Sequence, residues 1–190
     1  MQLARAAGYQ VVATSSTKNF EYLKSLGASL VFNYKAAKTV PAIIAALENK
    51  TCAGAYAIGT GSLEACIDIV AAVPGRKFVT QASTPLDMSD LPTGPVGFIW
   101  AVLKMMWWNI SVGVKAKCKG VQTKFIWGSD LKANEVGSAI YNDFLPEALA
   151  TGQFLAKPDP TVVGSGLENI QNGIDLCKGG VSATKVVVSL

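Results

Sequence analysis

One short segment concentrates the polar chemistry of this chain. Ser15-Ser16-Thr17-Lys18-Asn19 offers three hydroxyls, one ammonium and one amide in succession, with no acid among them. Hydroxyl and amide donors beside a cation suit a phosphate monoester, whose oxygens accept hydrogen bonds and carry charge. The same residues would serve as helix caps, because Ser, Thr and Asn readily accept bonds from the first N–H groups of a helix. Tyr34, in Phe32-Asn33-Tyr34, could flank a flat heterocycle and turn its hydroxyl toward the same anion. An edge tyrosine covering a helix is the plainer use. Gly59-Thr60-Gly61-Ser62 opens onto an apolar stretch, and helix N-termini attract anions. Without a further glycine it reads equally as a simple turn.

Much other chemistry is excluded. The 190 residues contain no histidine, so Ser–His–Asp and Cys–His catalysis cannot be built within them. Cys52, Cys66, Cys118 and Cys177 are scattered, which argues against zinc and for reduced, partly buried thiols. No side chain stands out as a general acid, and Tyr141, within a long helical pattern, is expected to pack. The catalytic residues are therefore unassigned and no metal is expected. The net charge of +4 comes without Lys/Arg runs interleaved with aromatics, so nucleic acid is not an expected partner. Lys115, Lys117 and Lys119 read as a solvated turn. Half the residues are apolar and 16% charged, the balance of an ordered domain.

Stretches of alternating pattern must position these groups. Strands are expected at 10–14, 30–32, 53–58 and 77–81, with helices at 2–8, 19–26, 39–47 and 62–72 between them. That array predicts an α/β fold: a Rossmann-like doubly wound parallel sheet over residues 10–82, with right-handed crossovers and helices on both faces. Its ligands would lie beyond the carboxyl ends of the strands. Residues 84–97, rich in Pro and Gly, read as a loop or hinge. The apolar run 96–114 predicts a buried helix, a lid or a subunit contact. It has the length of a membrane span, but Lys104 would sit near the bilayer centre and Gly94, Pro95 and Gly97 break its start. Further on, a strand is expected at 124–127, one long amphipathic helix over 134–151, a strand at 161–163, a helix over 167–177 capped by Ser165, and a strand at 185–190. The domains so predicted are a partial nucleotide-binding domain, 1–127, with an apolar insertion near 96–114, and C-terminal helices and strand, 128–190.

In a dinucleotide-binding sheet the end of the second strand faces the adenosine ribose, and an Asp or Glu there selects the 2′-hydroxyl of NAD. Ser15–Asn19 occupies that place without an acid. At this point a resemblance becomes specific. Ser16-Thr17-Lys18-Asn19-Phe20, Lys24-Ser25-Leu26-Gly27-Ala28 and Val31-Phe32-Asn33-Tyr34 resemble the fungal branch of the medium-chain dehydrogenase/reductase superfamily, in particular its zinc-independent trans-enoyl reductases and quinone-oxidoreductase-like proteins. The closing stretches Gly166–Gly173 and Gly179–Val188 resemble that family's last helix and strand.

The resemblance implies NADPH. It places Ser16, Thr17, Lys18, Asn19 and Tyr34 at the adenosine 2′-phosphate, Gln81-Ala82 near the nicotinamide ribose, and Thr184-Lys185 on a segment returning toward the cofactor. It implies hydride transfer to an activated double bond, as in an enoyl group, or to a quinone or ketone. A small-molecule substrate and a homodimer or polyketide synthase partner follow from it; the scattered cysteines fit a reducing, cytoplasmic location, and a membrane-associated domain using 96–114 is the less favoured alternative. Family members also carry an upstream substrate domain, first strand and glycine-rich turn, none of which matches this sequence. A helix that starts uncapped at Met1 fits the same expectation: an N-terminally truncated chain, first strand and glycine-rich turn missing. The alternative is a catalytically inactive fragment or interaction module of the same fold.

Overall fold

The computed structural model describes residues 1–84 and 94–190. By packing, the chain forms two units: residues 1–32 with 134–190, and residues 33–133.

The first unit begins with α1 (Gln2–Ala6), β1 (Val11–Ser15), a 3-10 turn (Thr17–Asn19), α2 (Phe20–Ser25) and β2 (Ala28–Asn33), which runs to the boundary. Gly8, at φ +86, ends the first helix in the left-handed conformation that glycine tolerates. The C-terminal part adds α6 (Glu135–Ser138), a π-helical segment (Ala139–Phe144), α7 (Leu145–Ala150), β6 (Pro160–Ser165), α8 (Ile170–Lys178) and β7 (Lys185–Ser189). β1 pairs with β2, and β6 with β7 in parallel across the α8 connection. The Gln2 side chain donates to the Leu155 carbonyl at 2.9 Å and accepts from its N–H at 2.8 Å, which ties α1 to the segment before β6.

The second unit holds α3 (Thr39–Leu47), β3 (Ala55–Ala57), α4 (Ser62–Ala72), β4 (Phe78–Gln81), α5 (Pro95–Cys118) and β5 (Gln122–Phe125). β4 lies between β3 and β5, parallel to both; Gln81 faces Ala57 on one side and Phe125 on the other. Leu63, Ile67 and Val70 recur at helical spacing on α4 and form the core with Ala57, Val79, Val112, Ala116 and Val121. The chain enters β4 past Gly75, bridged to Cys52, where a Cβ would lie 2.2 Å from the Cys52 carbonyl oxygen. The Lys77 ammonium donates to the carbonyls of Val70, Ala71 and Val73, satisfying the exposed end of α4.

α5 could cross a membrane by length and composition alone. Its later turns are seated on α4 by a polar seam. Trp108 Nε1 donates to Glu64 Oε1 at 2.6 Å, and Lys115 Nζ donates to the Glu64 carbonyl at 3.2 Å. Lys115 and Lys119 pair with the two oxygens of Asp68 at 2.7 and 2.9 Å. Burial pushes the Asp68 carboxyl up, but the two ammonium groups outweigh it and hold the group below its usual 3.8. Because the folded value is depressed, the stabilisation is present above the unfolded value and is lost as pH falls through 3.8 and below. Asp68→Asn is therefore expected to cost about 1 kcal/mol at neutral pH, reduced by the solvent that reaches the pair, and less at a pH well below 3.8. Urea midpoints of both proteins at the two pH values test this. An equal gap at both would assign the loss to packing.

Several expectations are corrected. The strands predicted as one sheet over 10–82 fall, among the described residues, into two separate ladders, β1–β2 in the first unit and β3–β4–β5 in the second. The strand expected at 124–127 lies at 122–125, since Gln122 N–H bonds the Lys77 carbonyl and fixes the register on β4. The helix expected over 134–151 is present without a gap from Glu135 to Ala150, capped by Asn134, and differs only in its π-helical stretch at 139–144, just before Pro146, which has no N–H for the Asn142 carbonyl. Gly166 and Asn169, not Ser165, stand at the starts of the 3-10 turn and α8. Cys118 and Cys177 are exposed rather than partly buried. The hinge reading of 84–97 falls mostly on residues 85–93, outside the described residues.

Candidate functional site

β1 delivers the chain to Ser16 at its carboxyl end, and the turn Thr17–Asn19 leads into α2. Ser16 and Asn19 occupy the cap positions of the turn and of α2, yet neither side chain makes a capping bond. The helix-cap use is therefore not what these side chains do. Asn19 Nδ2 donates instead to Ser16 Oγ at 3.3 Å and to Ser182 Oγ at 3.0 Å. Ser182 lies on the turn between α8 and β7, 163 residues away in sequence. Thr17 and Lys18 are exposed, and among the described residues Lys18 has no ion-pair partner.

Tyr34 follows β2 and is 57% exposed, with the Lys35 ammonium 5.8 Å from its ring centroid. Asn33 shapes that corner: its Oδ1 accepts from the Lys35 N–H at 3.0 Å, and its carbonyl accepts the Thr39 hydroxyl. Tyr34 belongs to the second unit and Ser16–Asn19 to the first.

The other residues singled out fall into two further places. At the carboxyl end of β4, Gln81 Nε2 donates to the Ser83 carbonyl at 2.7 Å, and the Ala82 N–H bonds the Ala57 carbonyl at 3.0 Å. Ser83, which sequence reasoning passed over, accepts the Gly59 N–H at 2.7 Å; Ser62 Oγ donates to the Gly59 carbonyl at 2.6 Å. The first amide of Gly59–Ser62 is thus spent within the protein. Thr184 Oγ1 lies 2.6 Å from Thr161 Oγ1 and donates to the Asp159 carbonyl, so its hydroxyl fixes the start of β6–β7. Lys185 opens β7.

No reactive thiol stands beside these groups. Burial pushes the Cys66 thiol up to about 11, with Cys52 adding to the shift, so it stays protonated at neutral pH. Tyr141 is 60% exposed, against the expectation that it packs. Among the described residues no three Cys, Asp or Glu side chains converge.

No family model matches the chain. Curated relatives match over its full length. The dehydrogenase pigH of Monascus ruber is 44% identical over 100% of this chain and 51% of its own. The zinc-binding alcohol dehydrogenase domain-containing protein cipB of Emericella nidulans is 39% identical, over 100% and 52%. The trans-enoyl reductase himH of Aspergillus japonicus is 35% identical, over 100% and 48%. Among solved structures, the CurK enoyl reductase superposes with a TM-score of 0.66 at 17% identity, over 99% of this chain and 49% of that one. A putative NADPH:quinone reductase from Bacillus thuringiensis gives 0.65 at 14%, over 100% and 51%. CurA from Vibrio vulnificus, in complex with NADPH, gives 0.56 at 16%, over 99% and 51%. These likenesses establish the α/β Rossmann-like fold. The chain spans about half the length of the curated relatives it matches. Aligned from end to end with these fungal dehydrogenases and trans-enoyl reductases, the chain is similar to about half of each, and its fold is that of the enoyl and quinone reductases.

Proposed function

We propose that this chain is the nucleotide-binding part of an NADPH-dependent oxidoreductase acting on a small molecule with an activated double bond, or on a quinone or ketone. The observation that carries the reading is the Ser16–Asn19 turn. Its side chains leave the helix uncapped, are not opposed by an acid in the segment, and stand beside Lys18, which has no ion-pair partner among the described residues. Hydroxyl donors with a free ammonium fit a 2′-phosphate and lack the carboxylate that selects a 2′-hydroxyl. By the resemblance, Ser16, Thr17, Lys18 and Asn19 of the first unit would line the 2′-phosphate end and Thr184 and Lys185 would shape the returning segment; of the second unit, Tyr34 would serve the adenosine and Gln81 and Ala82 the nicotinamide ribose. The nicotinamide, when bound, supplies the hydride, and the protein orients it and excludes water. The names of the relatives and the NADPH complex of one structural neighbour support this reading.

Calorimetric titration of the full chain with NADPH and NADH tests the cofactor. NADPH is expected to bind about tenfold more tightly or better, the worth of one charge-assisted contact. Equal binding would remove the basis for the reading. NADPH consumption in the presence of a 2-enoyl thioester tests the reaction itself.

An interaction module is a second reading, favoured by the outward row Ile99, Leu103, Met106, Trp107 and Ile110 on α5, each half-exposed or more. Concentration-dependent self-association without nucleotide binding would support it over the first.

A further inference from the structure

We propose that α5 lies flat on an anionic lipid surface through its outward face, whether or not the chain binds a nucleotide. Ile99, Trp100, Leu103, Trp107, Ile110 and Val114 recur at helical spacing, and each is half-exposed or more. They form a stripe about 22 Å long, from the rise of about 1.5 Å per residue. Within the fold, only the opposite side of the helix is used. Ala101, Val112 and Ala116 are buried there, and Trp108, Lys115 and Lys119 hold Glu64 and Asp68 of α4. That seam fixes the direction of the stripe, which faces away from α4.

Charge decides what covers the stripe. From Pro95 to Cys118 there is no Asp or Glu. Lys104 and Lys117 flank the stripe on opposite sides, and both are exposed, with no ion pair among the described residues. A second copy of α5 would bring these ammonium groups beside their equivalents, with no carboxylate on either helix to answer them. Anionic headgroups answer them, while the stripe enters the acyl boundary below. Lysine stems can run along the edge of the apolar face and keep their charges at the headgroups. The indole N–H groups of Trp100 and Trp107 donate to nothing among the described residues. At headgroup depth an indole keeps its ring in an apolar layer and its N–H among acceptors. Crossing the bilayer would instead carry Lys104 into hydrocarbon and pull Lys115 and Lys119 from Asp68. A helix lying flat avoids both penalties.

The test is sedimentation of the full chain with vesicles of phosphatidylcholine, alone or mixed about three to one with phosphatidylserine. The chain is expected to pellet with the mixed vesicles and to bind phosphatidylcholine alone on the order of tenfold less well. Leu103→Glu puts a carboxylate in the stripe and should abolish pelleting, with the thermal midpoint unchanged because the position is exposed. Lys104→Gln combined with Lys117→Gln should shrink the preference for the mixed vesicles and leave binding to phosphatidylcholine unchanged. Brominated acyl chains should quench the wild-type fluorescence, and that quenching should fall sharply when Trp100→Phe and Trp107→Phe are combined. Absence of pelleting with either vesicle overturns the proposal, as does pelleting that survives Leu103→Glu or is equal for the two vesicles. A dimer in analytical ultracentrifugation that Leu103→Glu dissolves, with no pelleting of wild type, would also overturn it and give the face to a second copy.

Discussion

Trp108→Phe is expected to destabilise the second unit by about 2–3 kcal/mol, because it strips a recessed carboxylate of its one side-chain donor. Glu64 sits in the first turn of α4, where a glutamate could reach back to the helix start. It turns outward instead: Oε1 accepts the Trp108 indole N–H at 2.6 Å, and Oε2 is buried with no partner. The phenyl ring would keep most of the packing against the core but donate nothing, so both oxygens would be left without a donor. A double-mutant cycle separates the terms. Glu64→Leu alone removes the charge and should cost less than Trp108→Phe. The pair together should cost less than the two single losses summed, by about 1–2 kcal/mol, since the second change removes the group the first left unsatisfied. Urea unfolding by tryptophan-independent circular dichroism reads all four proteins. Additive losses would mean that the 2.6 Å contact contributes nothing beyond packing.

How far the chain could be read without coordinates follows from where its information sits. α3 and α4 were legible to the residue, because Ile43 and the Leu63, Ile67, Val70 set announce one buried face at helical spacing. Strand existence was legible from β-branched runs, but ladder partners were not. A run such as Lys124–Trp127 has strand character, while the bonds to Lys77 and Gln81 that set its register belong to another element. The division of the parallel sheet into two pieces was invisible for the same reason. α5 was legible as apolar and not as two-faced: Ala101, Val112 and Ala116 face inward, while Trp100 and Trp107 are 69% and 73% exposed. At the candidate site, the types and order of Ser16, Lys18 and Asn19 were readable locally. Ser182 was not, since only folding brings it beside Asn19. The Gly179-Gly180 pair did mark a turn there.

Lys18→Glu is expected to reverse the nucleotide preference. In the wild-type chain the ammonium is exposed and unpaired among the described residues, on a turn with no acid from Ser15 to Asn19. A charge-assisted contact to a phosphate contributes about 1.5–3 kcal/mol, so its loss alone removes tenfold or more in NADPH affinity. A glutamate adds repulsion against a dianion, and it supplies the acceptor that a 2′-hydroxyl lacks in the wild type. NADH affinity should therefore hold or rise as NADPH affinity falls. Salt gives an independent check. Screening shortens to about 3 Å at 1 M ionic strength, so the wild-type preference should narrow with added salt, and so should the penalty on the variant. The charge change also distinguishes this residue from the serines: removing a neutral hydroxyl lowers the NADPH preference with little salt dependence, whereas the lysine effect is ionic. Calorimetry with both nucleotides at low and high salt decides the matter. If NADH and NADPH bind equally before and after the substitution, Ser16–Asn19 is no phosphate site, and the nucleotide must be selected elsewhere.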